Sequence, residues 1–369
     1  MRLRLFKIVF LTIIGLILTH PLYLSMFGMW DFPNFENRQM ADFPLPEGLK
    51  DILWISQKLD TYLTDHLPLR TRLIFRLYWF RREVLNDRVF PSVVIGKDDW
   101  LYYTGDHNLS IYQQVLTLSP KELSAIQENL ESAQAWLAER DIQMVVVIAP
   151  DKDTIYPEYL PDHVSVIGEI SQYDQLLDHM KENSNVRILD LRPVLLERKK
   201  SYQSYYKYDT HWNLTGCHAA YEAIMKEVAT KFPNLQSYPL QDFMMTTRQV
   251  PGDLMQFIGQ VGKLETDPFY LIHKASTQAH VQAGDNNNWI EMTVNNPALP
   301  RLVMLHDSFG TCLMPYLAEH FSYSLFRWEP FPTVGILDRK LIEQTKPDVV
   351  IIELAERYIG PRLVPQSGP

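Results

Sequence analysis

At 369 residues, with 46% hydrophobic and 21% charged side chains and no fixed-period repeat, the chain can build one large core and is neither fibrous nor low-complexity. Its net charge of −9 becomes −12 once residues 1–30 are set aside, because Arg2, Arg4 and Lys7 stand there without an acid and leave 32 basic against 44 acidic residues. That sign excludes a general nucleic-acid binder, and an anionic polymer would need a local basic groove.

In chain order, the first element is apolar. Ile8 to Trp30 contains no Asp, Glu, Lys or Arg, a stretch long enough for a helix across ~30 Å of hydrocarbon. Arg2, Arg4 and Lys7 orient its start to the cytoplasm, Trp30 suits an interface, and no small-x-small cleavage site follows. Residues 1–30 are therefore expected to be a signal anchor, a transmembrane helix with the rest of the chain outside the cytoplasm; a cleaved signal peptide is the alternative. Pro33, Pro44, Pro46 and Gly48 mark an extended stalk. Helical spacing follows in Ile52, Ile55, Leu59, Tyr62 and Leu63, and again in Leu73, Leu77, Phe80 and Val84, with a break at Asp65-His66-Leu67-Pro68. This makes 31–90 a stalk and helical linker, and 91–369 one domain.

That domain opens with strands at Val93-Val94-Ile95 and Trp100–Tyr103 around a Gly96–Asp99 turn. Ser119-Pro120-Lys121-Glu122 has the Ser-x-x-Glu form of a helix start, and that helix runs to about Arg140. The run Met144–Ala149 fits a buried parallel strand. Helix over 169–183, strand over Val186–Leu191 and helix over Leu214–Lys231 come next. A strand at Leu302–Leu305, helix over Thr311–His320, strand at Tyr323–Trp328, helix over Leu337–Thr345 and strand at Val349–Leu354 complete the chain. Such alternation predicts an α/β fold, a mainly parallel sheet flanked by helices, whose ligands sit beyond the carboxyl ends of the strands.

Two motifs lie at those ends. His306-Asp307-Ser308-Phe309-Gly310 follows the strand Leu302–Leu305 directly. A serine there projects into the cleft, and its own N–H and those of the following helix are expected to face a developing oxyanion; the plainer alternative is a helix-capping serine. Asp307 is expected to organise the turn. The second motif is Lys207-Tyr208-Asp209-Thr210-His211-Trp212-Asn213. Asp and His two apart in extended chain point to one side, so the carboxylate orients the imidazole while its other nitrogen meets a nucleophile. The alternative is a polar loop before a helix capped by Asn213 or Thr215. Serine is inert without a base, so each motif lends weight to the other: Ser308 as nucleophile, His211 as base, Asp209 as orienter.

Several other residues invite a role. Lys152 and Arg357 follow strand ends and are candidate substrate contacts; the alternatives are a solvated lysine and a structural ion pair. Tyr208 and Trp212 are candidate sugar-stacking residues, with core packing the alternative. His211 and His218 lack the spacing of a helical ligand pair, so no metal is expected, and no cofactor. Cys217 and Cys312 read as two small buried thiols, with a single bridge near the two motifs as the alternative.

The segments Glu36-Asn37-Arg38, Ile95–Leu101, Ala149-Pro150-Asp151-Lys152 with Ile155-Tyr156-Pro157, Tyr208–Trp212, Pro251-Gly252-Asp253-Leu254 and Asp307-Ser308-Phe309 together resemble the alginate O-acetyltransferase family of the AlgJ/AlgX type, over about residues 31–360. The resemblance implies an SGNH-hydrolase-like catalytic domain over 91–369 with a circularly permuted motif order, Asp–His preceding Ser. It implies Ser308, His211 and Asp209 as a triad. It also implies acetyl transfer to hydroxyls of an exopolysaccharide in the bacterial periplasm, with the inner membrane and a membrane-bound O-acyltransferase supplying acetyl groups as partners. His306 stands where a GDS motif has Gly. The rival functions are a carbohydrate acetyl esterase and an idle polysaccharide-binding scaffold subunit.

Overall fold

The structure is a computed structural model. It describes residues 55–65, 70–260, 262, 264–275, 277–285, 289–328 and 336–364, with residues 12, 41, 42, 44, 45 and 48 singly. Among the described residues no helix is long and apolar enough to cross a membrane. The expected transmembrane helix over 8–30 lies, apart from Thr12, outside them.

The chain divides into two units, residues 1–90 with 256–262 and residues 91–255 with 263–369. In the first unit, helix α1 spans Ile55–Asp65 and α2 spans Arg70–Glu83. Gly259 passes so close to α2 that a Cβ there would lie 2.6 Å from the Phe75 carbonyl oxygen; its φ of +75° also favours glycine. The stripe Leu73, Leu77, Phe80 and Val84, whose spacing predicted a helix, is exposed. Periodicity identified the helix but did not say that this face is the uncovered one.

The second unit is built on continuous apolar runs, which form strands buried on both faces. Its strands are β1 Val93–Ile95, β2 Leu101–Tyr103, β3 Gln143–Ala149, β4 Ile188–Asp190, β5 Phe243–Pro251, β6 Leu264–His273, β7 His280–Asp285, β8 Trp289–Thr293, β9 Arg301–His306, β10 Tyr323–Trp328 and β11 Val349–Ala355. Its main helices are α3 Pro120–Ala138, α4 Gln172–Asn183, α5 Arg192–Lys199, α6 Leu214–Val228 and α7 Arg339–Thr345. The central sheet has the order β4-β3-β11-β9-β10-β8-β7. Its first five strands are parallel, while β8 and β7 continue it antiparallel. Strands β5 and β6 form a separate antiparallel ribbon. The ribbon, the β7–β8 hairpin and α5 were not anticipated: their mixed polar and apolar residues give weak periodicity.

Period-two alternation divides the core between the sheet's faces. Val145, Val147, Leu302, Met304, Val349 and Ile351 pack with Cys217, Ala220, Tyr221 and Ile224 of α6. Val146, Ile148, Val303, Leu305, Val350 and Ile352 pack with α3 and α4. Each fully buried aliphatic side chain of this kind contributes about 1.5–3 kcal/mol. Caps start these helices where expected. The Ser119 hydroxyl accepts from Glu122 N while Glu122 accepts from Ser119 N, and Asn213 Oδ1 accepts from Thr215 N and Gly216 N at 3.1 and 3.2 Å. The Asn213 cap fixes the start of α6 two residues beyond His211.

Cys217 and Cys312 are joined in a disulfide across 95 residues, which corrects the expectation of two free thiols. Spacing does not reveal pairing, and here the fold brings α6 against the turn after β9. Loop closure over this length would give somewhat more than about 4 kcal/mol, and disulfides in practice deliver about 2–4 kcal/mol. Replacing both cysteines by serine is expected to lower unfolding free energy by that amount in urea titrations while leaving far-ultraviolet circular dichroism unchanged. An unmoved midpoint would show that the bridge does not stabilise the fold.

Candidate active site

The site forms at the carboxyl ends of β3, β11 and β9. Asp307 builds the turn that carries Ser308. Its Oδ1 accepts from Phe309 N at 2.9 Å and its Oδ2 accepts from Ala355 N at 2.7 Å, tying the turn to the end of β11. Gly310 lies so close beneath that a Cβ there would be 2.5 Å from His306 Cβ and 2.8 Å from Glu353 Oε2. The close-packing glycine of this turn is thus Gly310, while His306 is a buried end-of-strand residue whose Nδ1 lies 2.7 Å from the Asp307 carbonyl. Glu353 Oε2 accepts from Asp307 N at 3.2 Å. Burial, then the charge of Asp307, raises the Glu353 carboxyl well above its ordinary range.

Asp209 and His211 reach this turn from the chain before α6. His211 Nε2 is 2.8 Å from Ser308 Oγ, and His211 Nδ1 is 2.7 Å from Asp209 Oδ1. Asp209 Oδ1 also accepts from His211 N at 2.9 Å, so one oxygen holds both the ring and its main chain. Phe309 supports the imidazole with a ring-centre separation of 4.9 Å. The side chain of His211 keeps 26% of its exposure, which leaves the couple reachable from solvent. Burial opposes charge on His211, but the hydrogen bond and charge of Asp209 overcome it and raise its pKa above the ordinary imidazole value. Burial likewise opposes charge on Asp209, and His211 overcomes it to hold that carboxyl below its usual range.

A third acid belongs to this arrangement, and motif spacing did not single it out for a role. Asp253, just beyond the end of β5, donates its N–H to Asp209 Oδ2 at 3.0 Å and accepts from Thr210 N at 2.8 Å. Its Oδ2 stands 3.7 Å from His211 Nδ1. Burial, then the charge of Asp209, pushes its pKa up to about 6. The signal in the sequence was the Pro251-Gly252-Asp253 segment: a Cβ on Gly252 would fall 2.5 Å from the Tyr208 carbonyl oxygen, so this segment must pack tightly on the His211 loop. The ligand-capable atoms of Asp209, His211 and Asp253 lie within 4.8 Å of one another, a spacing that also admits a cation. Asp209 Oδ1 and His211 Nδ1 bond each other instead.

The remaining expected site residues divide. Lys152 is 4% exposed, and its Nζ donates to the carbonyl oxygens of Tyr206, Lys207 and Asp209 at 3.2, 3.3 and 2.6 Å. It clamps the loop from inside, in place of the expected sugar contact; burial lowers its pKa to about 8 against the pull of Asp209. Arg357 is also 4% exposed and is ion-paired through Nη1 with Asp151, whose Oδ2 accepts from Arg357 N at 3.0 Å. Burial opposes its charge and Asp151 overcomes it. Arg357 is thus the structural ion pair that was the alternative to a substrate contact. Trp212 is a core residue: its Nε1 donates to the Phe309 carbonyl at 3.1 Å and its ring meets Phe309 edge-on. Tyr208 alone of the aromatic pair keeps partial exposure, and its N–H, with that of Lys207, donates to Glu265 at 2.8 and 2.7 Å. The N–H groups of Phe309 and Gly310, expected to face an oxyanion, are already taken by Asp307, which accepts the second through its carbonyl at 3.2 Å.

Because two carboxylates favour the imidazolium, removing one must lower the His211 pKa. In proton NMR titrations of the imidazole Cε1–H, Asp253→Asn is expected to shift the His211 midpoint downward. An unmoved midpoint would mean that Asp253 does not act on the ring.

A family model described as the SGNH hydrolase-like domain of acetyltransferase AlgX matches residues 93–306. That range contains Asp209 and His211 and ends two residues before Ser308. Proteins described as probable alginate O-acetylase AlgJ match along most of the chain. The one from Pseudomonas syringae pv. tomato is 24% identical over 91% of this chain and 85% of its own length. The one from Pseudomonas fluorescens is 25% identical over 94% and 86%. Among solved structures, Bacillus cereus PatB1 superposes with a TM-score of 0.51 at 16% identity, covering 72% of this chain and 96% of that one, which supports the fold.

Proposed function

The chain belongs to the family of SGNH hydrolase-like, AlgX-type acetyltransferase domains, and from that premise we propose that it is a membrane-anchored periplasmic enzyme moving acetyl groups onto hydroxyls of an alginate-like exopolysaccharide. The observation that carries the chemistry is the unbroken line from Asp209 Oδ1 through His211 to Ser308 Oγ, with contacts of 2.7 and 2.8 Å. His211 Nε2 takes the Ser308 proton as Oγ attacks the acetyl carbonyl of a donor. The tetrahedral adduct collapses, the bond from the acetyl carbon to the donor's leaving group breaks, the proton on His211 passes to that leaving group, and acetyl-Ser308 remains. A sugar hydroxyl then gives its proton to His211 and takes the acetyl group, freeing Ser308. The Ser308 N–H is the proposed oxyanion donor, since its two neighbours are engaged. Tyr208, partly exposed and next in sequence to Asp209, is the proposed stacking surface for the acceptor ring.

The Cys217–Cys312 bridge supports an oxidising compartment. The charge-free stretch Ile8–Trp30, preceded by Arg2, Arg4 and Lys7, supports an inner-membrane anchor, with a membrane-bound O-acyltransferase as the acetyl supplier. Incubation with an acetyl donor and an oligosaccharide, followed by mass spectrometry, is expected to show acetylated sugar. Hydrolysis of donor alone would make the protein an esterase. Ser308→Ala should abolish the acetyl-enzyme and cut turnover by on the order of 10⁴-fold or more; retained transfer, or failure of a fluorophosphonate to label Ser308, would overturn the triad.

Close to the base, Lys152 and Arg357 are spent on internal partners and Lys207 lies over the Tyr208 ring, while Asp209 and Asp253 border His211 itself. A polyanionic acceptor therefore meets like charge, and salt should screen that repulsion. The KM for anionic oligosaccharide is expected to fall as ionic strength rises, and that for a neutral analogue to stay flat; a KM that rises with salt would reveal a basic acceptor groove.

A further inference from the structure

The first unit carries a surface that acyl transfer does not use. Leu73, Leu77, Phe80 and Val84 recur at the 4-3-4 spacing of one helical face, and with Trp79 and Leu85 they are between 44% and 61% exposed. The opposite side of α2 is the covered one: Gly259 abuts Phe75 and Tyr78, and the Tyr78 ring meets Phe90 edge-on. Large apolar side chains exposed together on one helix, unlike ones scattered singly, mark an interaction surface.

Charge is segregated to the same segment. In a chain of net charge −9, residues 70–88 hold Arg70, Arg72, Arg76, Arg81, Arg82 and Arg88 against Glu83 and Asp87. Arg76 is exposed next to Leu77. Arg81 binds Asp87 and the Val89 carbonyl, closing the end of the helix, and Arg82 pairs with Glu83. An exposed apolar stripe with Trp79 near it, in a segment where arginines outnumber acids six to two, is a composition found in helices that lie in a membrane interface.

We propose that α2 is an interfacial helix, seated by Leu73, Leu77, Phe80 and Val84 on a bilayer surface that carries anionic headgroups. The occupant is a lipid surface on grounds of charge complementarity: six arginines against two acids suit an acidic leaflet. The proposal rests on the helix's own pattern. The anchor, if present, brings α2 to the membrane but does not determine which face it presents.

The two native cysteines are joined, so a cysteine introduced at Leu77 is a unique thiol for a nitroxide label. The full chain is reconstituted in nanodiscs of phosphatidylcholine, with or without phosphatidylglycerol, and the label's accessibility to oxygen and to a water-soluble nickel chelate is compared. In anionic discs the Leu77→Cys label should be several-fold more accessible to oxygen than to nickel. In neutral discs, or with Arg72→Glu and Arg76→Glu added, that preference should fall, while a label at Lys121→Cys stays open to nickel throughout. Nickel access at position 77 equal to that at position 121 in both lipids would overturn the proposal. So would shielding from both reagents in both lipids, which would mean that protein covers the stripe. Loss of the anchor reads out separately, as chain eluting free of neutral discs.

Discussion

A carboxylate withdrawn from water costs several kcal/mol unless the protein replaces its hydration, and Asp209 is charged where water is largely excluded. Its replacement shell is complete. Oδ1 takes the ring N–H and the main-chain N–H of His211, and Oδ2 takes Asp253 N. Holding both ends of the same residue fixes more than a tautomer. The imidazole cannot rotate away from Ser308 without breaking its bond to the same oxygen that fixes the backbone turn, and that turn leads directly into the Asn213 cap of α6. The orientation of the base and the start of a core helix are one constraint.

That constraint is enforced from three distant parts of the chain. Lys152, at the end of β3, grips three carbonyls of the same loop from within. Glu265, on β6, takes two of its N–H groups. Asp253, beyond β5, takes Thr210 N and supplies a second negative charge to the ring. The loop's polar main chain is thus satisfied by side chains whose own charges are then unavailable for substrate, which explains why residues placed at strand ends face inward. The Cys217–Cys312 bridge joins the helix after His211 to the turn after Ser308, covalently linking the segments that bear these two residues.

Asp209, His211 and Ser308 were legible because their signals are local: a two-residue spacing that puts both side chains on one side, and a serine directly after a buried strand. The parallel core was legible for the same reason, since continuous apolar runs such as Met144–Ala149 admit few other fates. What the sequence concealed depends on contacts between distant residues. Asp253 meets Asp209 across 44 positions, and the disulfide spans 95. The ribbon that carries Glu265 alternates too weakly to announce itself. Lys152 and Arg357 were correctly placed at strand ends, but position does not give direction: only the completed fold shows Asp151 and three carbonyls drawing their charges inward. The stripe on α2 is the converse case, a periodicity that reads like a core face until its neighbours are known.

In the proposed reaction, the turn at Ser308 limits the main-chain donors open to a tetrahedral intermediate. In many strand-to-helix nucleophile turns, successive free N–H groups at the helix start share the developing charge. Here Asp307 occupies the two that follow the serine, one through its carboxylate and one through its carbonyl, because the same residue must also reach Ala355 N to lock the turn onto β11. Rigidity of the nucleophile is obtained by using the donors that would otherwise face the oxyanion. Under the proposed mechanism, stabilisation falls more heavily on the Ser308 N–H and on the imidazolium, which Asp209 and Asp253 flank. That proposal places the weight on electrostatic support of His211, and it agrees with the main-chain and carboxylate contacts that the fold devotes to this residue.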